Sequence, residues 1–255
     1  MRIATWNVNS LRVRLPQLLK WLAARAPDLV ALQETKVTDQ DFPAAALRAA
    51  GYESVSSGQK GYNGVALLAR SGLGEVVCAM PGSEDSQRRV LAATCGPLRI
   101  INLYVPNGQS VDSDKYRYKL AWLRTLRAWL RAELSVHPLL LVLGDFNIAP
   151  EDADVHDPAA WAGSVLVSEP ERASLRATLA LGLVDVFRRF EQPPQTFTWW
   201  DYRAGALRRN HGLRIDLILA SSELADQCSY CEIDRAPRLM ARASDHTPVI
   251  ATFDI

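Results

Sequence analysis

Short apolar runs alternate with longer amphipathic ones along this chain of 255 residues. Ile3 to Val8 reads as a strand, and Leu29 to Leu32 as a buried one. Gly64 to Ala69, Val90 to Thr94 and Leu98 to Val105 are further strand candidates, each too short and too apolar for a surface helix. Pro16 stands where the first position of a helix is expected, since a missing N–H costs nothing there. Leu15, Leu18, Leu19 and Leu22 then recur at helical spacing.

The clearest helix runs from Asp114 to about Ser135. Tyr116, Leu120, Leu123, Leu126, Leu130 and Leu134 make one apolar stripe opposite a face of Arg and Lys, so the stripe faces a core. Leu139 to Leu143 is again a fully buried strand. Ser168-Glu169-Pro170-Glu171 has the S-x-x-E form of a capping box and opens a helix that stops near Gly182. Thr196 to Trp200, Leu213 to Ala220, Ser229 to Asp234 and Val249 to Phe253 complete the predicted strands. No Pro/Gly/Ser-rich linker divides this series and no period repeats, so residues 1–255 are expected to form one α/β domain with helices packed outside the strands.

Apolar residues make up 48% of the chain and charged residues 22%, enough for a large core without a disulfide scaffold. Cys228 and Cys231 form a lone C-x-x-C pair, with no second pair at zinc-finger spacing, so Cys78, Cys95, Cys228 and Cys231 read as free thiols of a reducing cytoplasm. The first residues lack the apolar stretch of a secretory signal, and no apolar run approaches the roughly 20 residues that span a bilayer. A cytoplasmic protein with no membrane association is expected. The net charge is only +1, so bulk charge predicts no polyanion partner. Arg88 and Arg89 are adjacent, however, and Arg203, Arg208, Arg209 and Arg214 crowd one segment, which suits either a basic face for phosphates or scattered solvated side chains.

Candidate chemistry falls at strand ends. Asn7 closes the first strand, Glu34 follows the second, and Tyr104 ends the run Ile100 to Leu103. Asp145 and Asn147 follow Leu139 to Gly144, while Asp245 and His246 stand just before the last strand. Asp216 interrupts the apolar segment Ile215 to Leu219, where a carboxylate is costly without a partner. Strand ends that emerge at one rim would gather these groups into one cleft.

The segments W-N-V-N-S-L-R (6–12), L-Q-E-T-K (32–36), G-Q-K-G-Y-N-G-V-A-L-L (58–68), Q-R-R (87–89) and Y-V-P-N (104–107) resemble the bacterial exonuclease III family and its apurinic/apyrimidinic (AP) endonuclease relatives. So do L-G-D-F-N-I (143–148), T-W-W-D-Y-R (198–203), G-L-R-I-D-L-I-L-A-S (212–221) and S-D-H-T-P-V (244–249), in family order along nearly the whole chain. The resemblance implies a four-layer α/β sandwich, deoxyribonuclease I-like, with two mixed β-sheets flanked by helices.

It also implies a magnesium-dependent DNA phosphodiesterase of base excision repair, with manganese able to substitute. Such an enzyme acts as a monomer on double-stranded DNA carrying AP sites or modified 3′ ends. Glu34 matches the main metal ligand, with Asn7, Asp145, Asn147, Asp245 and His246 around the metal. Asp145 matches the group that activates water, Asn147 its orienting partner, and His246 a phosphate contact held by Asp216. Tyr104 matches a tyrosine that touches the phosphate and assists the leaving group. Lys60, Arg88, Asn107 and Arg203 match DNA contacts, and Trp199, Leu213 and Ile215 wall a pocket for an extruded baseless sugar.

Two departures matter. Asn9 stands where some relatives carry an acid that helps bind metal, and Gly108-Gln109-Ser110 lacks an arginine that some relatives insert into DNA. Leu166 is expected near the sugar pocket, where it would narrow it. The balance among AP-site incision, 3′-to-5′ exonuclease and 3′-phosphatase activity therefore stays open. The alternative is a catalytically inactive nucleic-acid-binding regulator on the same fold, which would have no need of the Glu34, Asp145, Asn147, Asp216, Asp245 and His246 set.

Overall fold

A computed structural model describes residues 1–255. The twelve strands are β1 (Arg2–Asn7), β2 (Leu29–Gln33), β3 (Glu53–Ser57), β4 (Val65–Ala69), β5 (Gly74–Val77) and β6 (Val90–Cys95), then β7 (Leu98–Tyr104), β8 (Leu140–Asp145), β9 (Leu183–Asp185), β10 (Asp216–Ser221), β11 (Cys228–Ile233) and β12 (Val249–Phe253). They form two six-stranded sheets, ordered β11-β12-β1-β2-β4-β3 and β5-β6-β7-β8-β10-β9. Each is mixed: β1 runs parallel to β2 and β7 parallel to β8, and the other pairs are antiparallel.

The sheets pack face to face. Ile3, Leu29, Ala31 and Val65 of one interleave with Leu91, Ile100, Leu141 and Ile218 of the other in the largest apolar cluster. On the outer face of the first sheet, Trp6, Val30, Leu32 and Leu68 pack with Leu18, Trp21 and Leu22 of the helix α1 (Leu11–Arg25). On the outer face of the second, Ile101, Val142 and Leu219 meet Trp122, Leu126 and Leu130 of the helix Asp114–Val136, and Leu175 of the helix Glu169–Leu179. The four-layer expectation therefore holds. No helix is long and apolar enough to cross a membrane.

Three local expectations need correction. Helix α1 begins at Leu11 rather than Pro16, which lies inside it. The carbonyl four residues earlier belongs to exposed Arg12, so water can replace the bond that proline cannot make. Thr196 to Trp200 is not a strand: Trp199 makes only single bridges, to Leu213 and to His246. The N–H groups of both Thr198 and Trp199 donate to the Leu213 carbonyl, an arrangement that breaks the alternation of a ladder. Likewise β10 starts at Asp216, three positions after the expected Leu213.

The parallel pairs matter most for function. In β1 and β2 the register sets Asn7 opposite Gln33, and in β7 and β8 it sets Tyr104 opposite Asp145. All four strands thus run out at one rim. The antiparallel β10 and β12 begin at that rim, with Asp216 opposite Asp145 and Val249 opposite Thr5. Beneath it a buried polar pin crosses between the sheets: Gln33 Nε2 donates to Asn102 Oδ1 at 2.7 Å, and Asn102 Nδ2 donates back to the carbonyls of Leu32 and Ala66.

Candidate active site

Asp145 is the centre of the rim. It is 1% exposed, and its position depends on the glycine before it. Gly144 has φ +143°, and a Cβ there would lie 2.0 Å from the Leu103 carbonyl oxygen, so only glycine lets β8 close against β7 at this point. Asp145 Oδ2 accepts from Asn7 Nδ2 at 2.9 Å and from Asn147 Nδ2 at 3.3 Å, and Oδ1 accepts from the backbone N–H of Asn147 at 2.9 Å. His246 Nε2 lies 3.7 Å from Oδ2.

His246 in turn has Nδ1 2.8 Å from Asp216 Oδ2, which gives the fully buried Asp216 the partner its strand position demanded. Burial disfavours the imidazolium, yet Asp216, Asp145 and Asp245 outweigh it and push the histidine pKa up to about 10. For Asp145 burial is the leading effect and raises its pKa to about 7; His246 and the Asn7 hydrogen bond pull the other way, and Asp216 and Glu34 add to the rise. A carboxylate so poised suits proton abstraction near neutrality.

Glu34 stands beside this pair, held by Asn7 Nδ2 at 2.9 Å and by Lys36 Nζ at 2.8 Å. Ligand atoms of Glu34, Asp145 and His246 lie within 4.8 Å of one another. The oxygen donors of Glu34 and Asp145, in a site where like charges already repel, fit a hard divalent cation such as magnesium. Asn7 accepts the Asn9 N–H on its amide oxygen and turns Nδ2 toward the carboxylates. Both nitrogens of His246 face carboxylates. Asn147 shares its oxygen with Asn107 Nδ2 at 3.0 Å and donates Nδ2 to the Val105 carbonyl. Asp245 accepts from Asn9 Nδ2 at 2.8 Å and Trp199 Nε1 at 3.1 Å. Burial works to raise the Asp245 pKa, but His246 and these two donors keep it below the usual value.

Tyr104 borders the same cleft, with the Arg89 guanidinium 4.7 Å from its ring centroid. Burial first, then Glu34 and Asp145, raise its phenol pKa well above the ordinary value, so the hydroxyl keeps its proton at neutral pH. A groove of about 750 Å³ opens from Tyr104 past Asn63, Gln87, Arg89 and Asn107 to the exposed ring of Tyr62. Lys60 and Arg88 sit exposed on neighbouring loops, tied by Gln59 Oε1 accepting from the Arg88 N–H.

On the other side of Asp145 lies an apolar cluster of Leu166, Leu213, Ile215, Val155, Val167 and Ala149, with Trp199 packed against it. Leu213 and Ile215 are buried within this cluster. Arg203 is exposed. Leu166 belongs to the same cluster, at φ +77°, a left-handed conformation that leucine rarely adopts.

Sequence reasoning gave no site role to Lys36, Asn102 or Lys119. Lys36 joins the site by bridging Glu34 Oε2 and, at 2.6 Å, Asn9 Oδ1. Lys119 left a legible signal: it falls inside the helical apolar stripe, between Tyr116 and Leu123, yet is charged.

Residues 4–246 match the Endonuclease/Exonuclease/phosphatase family. Exodeoxyribonuclease III of Haemophilus influenzae is 35% identical over 266 residues, covering 99% of this chain and all of the relative. The structure of a 3′ phosphatase from Neisseria bound to product DNA hairpin superposes with a TM-score of 0.98 at 45% identity, with both chains fully covered. An AP endonuclease from Archaeoglobus fulgidus gives 0.96 at 39% identity, again over both whole chains.

Proposed function

The chain belongs to the Endonuclease/Exonuclease/phosphatase family, in its exodeoxyribonuclease III branch, and from that premise we propose how its rim residues cut DNA. The protein is a DNA-repair nuclease, a metal-dependent phosphodiester hydrolase. The observation that carries the mechanism is Asp145, clamped by Asn7, Asn147 and His246 with Glu34 alongside.

Asp145 accepts a proton from the attacking water as its oxygen bonds to phosphorus, and Asn147 fixes the carboxylate in line. His246, held charged by Asp216, faces the phosphate with a positive group where negative charge grows. The P–O3′ bond breaks on the far side, and the protonated Tyr104 donates to the departing oxygen, leaving a 3′-hydroxyl. Glu34 and Asp145 would hold magnesium, which when bound neutralises phosphate charge. Manganese, which favours the same oxygen ligands, would substitute. Lys60, Arg88 and Arg203 face the duplex backbone, while Trp199 and the Leu166 wall receive the sugar beyond the cut. We take the substrate as duplex DNA with AP sites or modified 3′ ends. We take the protein to be a monomer working in the reducing cytoplasm, the compartment that its four free cysteines suit.

Purified protein with magnesium should cleave at least one of three duplexes, bearing an AP-site analogue, a recessed 3′ end or a 3′-phosphate. Chelator should abolish that cleavage. Binding of all three without turnover would sink the reading and favour a regulator.

A further inference from the structure

Lys119 never meets solvent, and neither does its partner Glu171. The lysine lies on the helix Asp114–Val136 with its Nζ turned toward the site. It donates to the Asn147 carbonyl at 2.6 Å and to the Asn107 carbonyl at 3.1 Å, and pairs with Glu171 Oε1. All three ammonium protons are thereby used. Glu171 is equally committed: Oε1 also accepts from the Leu166 N–H at 3.1 Å, and Oε2 from the N–H and hydroxyl of Ser168.

One ion pair therefore grips three loops. Those after β7 and β8 carry the joined side chains of Asn107 and Asn147, and the Asn147 N–H holds Asp145. The third carries Leu166, whose carbonyl accepts from the Ala149 N–H at 2.8 Å. Burying such a pair is costly, and an apolar pair of similar shape would serve stability as well. Burial lowers the Lys119 pKa while Glu171 opposes the fall. What an apolar pair could not supply is directed hydrogen bonds to all three loops at once.

We propose that Lys119 is a positioning residue which, with Glu171, fixes the spacing between the Asn107–Asn147 pair and the Leu166 wall and so sets the choice among substrates. The inference rests on the phosphodiesterase reading given above. Its consequence differs between substrates for a chemical reason. Removal of a 3′-phosphate releases phosphate alone, with no sugar beyond the scissile bond. Incision at an AP site leaves a baseless sugar on the far side, against the wall. Loss of the grip disturbs Asn147 for both substrates, but the wall only for the second.

The test compares wild type with Lys119→Met/Glu171→Gln, which removes both charges at nearly constant shape, on a 3′-phosphate duplex and an AP-analogue duplex with magnesium. A melting curve checks the fold, and Glu171→Gln alone serves where the double variant fails to fold. On the AP analogue kcat should fall about tenfold more than on the 3′-phosphate, with KM on the latter nearly unchanged. Equal slowing on both duplexes, loss through KM alone, or wild-type behaviour overturns the inference while leaving the functional reading intact. A wild type inactive on either duplex, yet active on a recessed 3′ end or on the other, overturns this inference alone; one inactive on all three removes the functional reading with it.

Discussion

Asp145 concentrates the chemistry in one side chain that its surroundings have made expensive to ionise. Its carboxylate is buried, faces other acids and is compensated chiefly by His246 and Asn7. Asp145→Asn should therefore cut single-turnover cleavage by a factor of about 10² or more while leaving the melting temperature unchanged or higher. A variant that keeps most of its activity would remove Asp145 as the base. Leu166 tests the pocket wall. Glycine there relieves the positive φ and opens space beside Leu213, so Leu166→Gly should raise AP-site cleavage relative to 3′-phosphate removal. An unmoved ratio would mean that the wall does not limit the sugar. At this scale the sequence was most legible where a residue broke its local pattern. Asp216 was visible because it interrupts an apolar run, and its partner His246 followed from resemblance. Lys119 was as anomalous in its stripe but has no motif of its own, so only three-dimensional contacts reveal what it holds.

At the scale of elements, the central strands were legible because both of their faces are buried, which makes them continuous apolar runs. Three strands that pattern alone did not show, β3, β5 and β9, all lie at sheet edges. The sequence of β3 is Glu-Ser-Val-Ser-Ser and β5 is mostly exposed, so neither carries the alternation of a strand with one buried face. The capping box at Ser168 was readable and is present, and Ser168 Oγ also meets the Tyr116 hydroxyl at 2.6 Å. Ser168→Ala should cost about 1–2 kcal/mol in denaturant unfolding, more than an exposed cap because two buried partners are lost. Gly144→Ala should be harsher, at least about 3 kcal/mol or failure to fold, since the strand must part from its neighbour to admit a methyl group. A well-folded, active Gly144→Ala protein would show that this contact can relax.

For the whole molecule, we read the 255 residues as one folding domain, because β11 and β12 return to the sheet that β1 to β4 begin. Thermal unfolding followed by two different probes should then give one coincident transition, and two separated transitions would divide the chain. A divalent cation that binds only the folded form should raise that transition with the logarithm of its excess over the dissociation constant, and chelator should reverse the gain along with activity. With a net charge of only +1, affinity for DNA should come from the few cations near the cleft. Arg203→Ala should weaken duplex binding and lower the steepness of its salt dependence by about one unit. An unaltered slope would take Arg203 off the backbone.

The pairing of β12 with β1 has a consequence for how the protein is made. Asn7 leaves the ribosome long before His246 and the strand β12 that adds beside β1. Bringing such distant segments together carries a loop-closure cost that nearby contacts do not, which predicts slow, late completion. A nascent chain thus holds Glu34 and Asp145 long before it holds the histidine that partners them. A nuclease wired in this way completes its site only once β12 is made, so a translation product that stops before Asp245 should not cleave DNA.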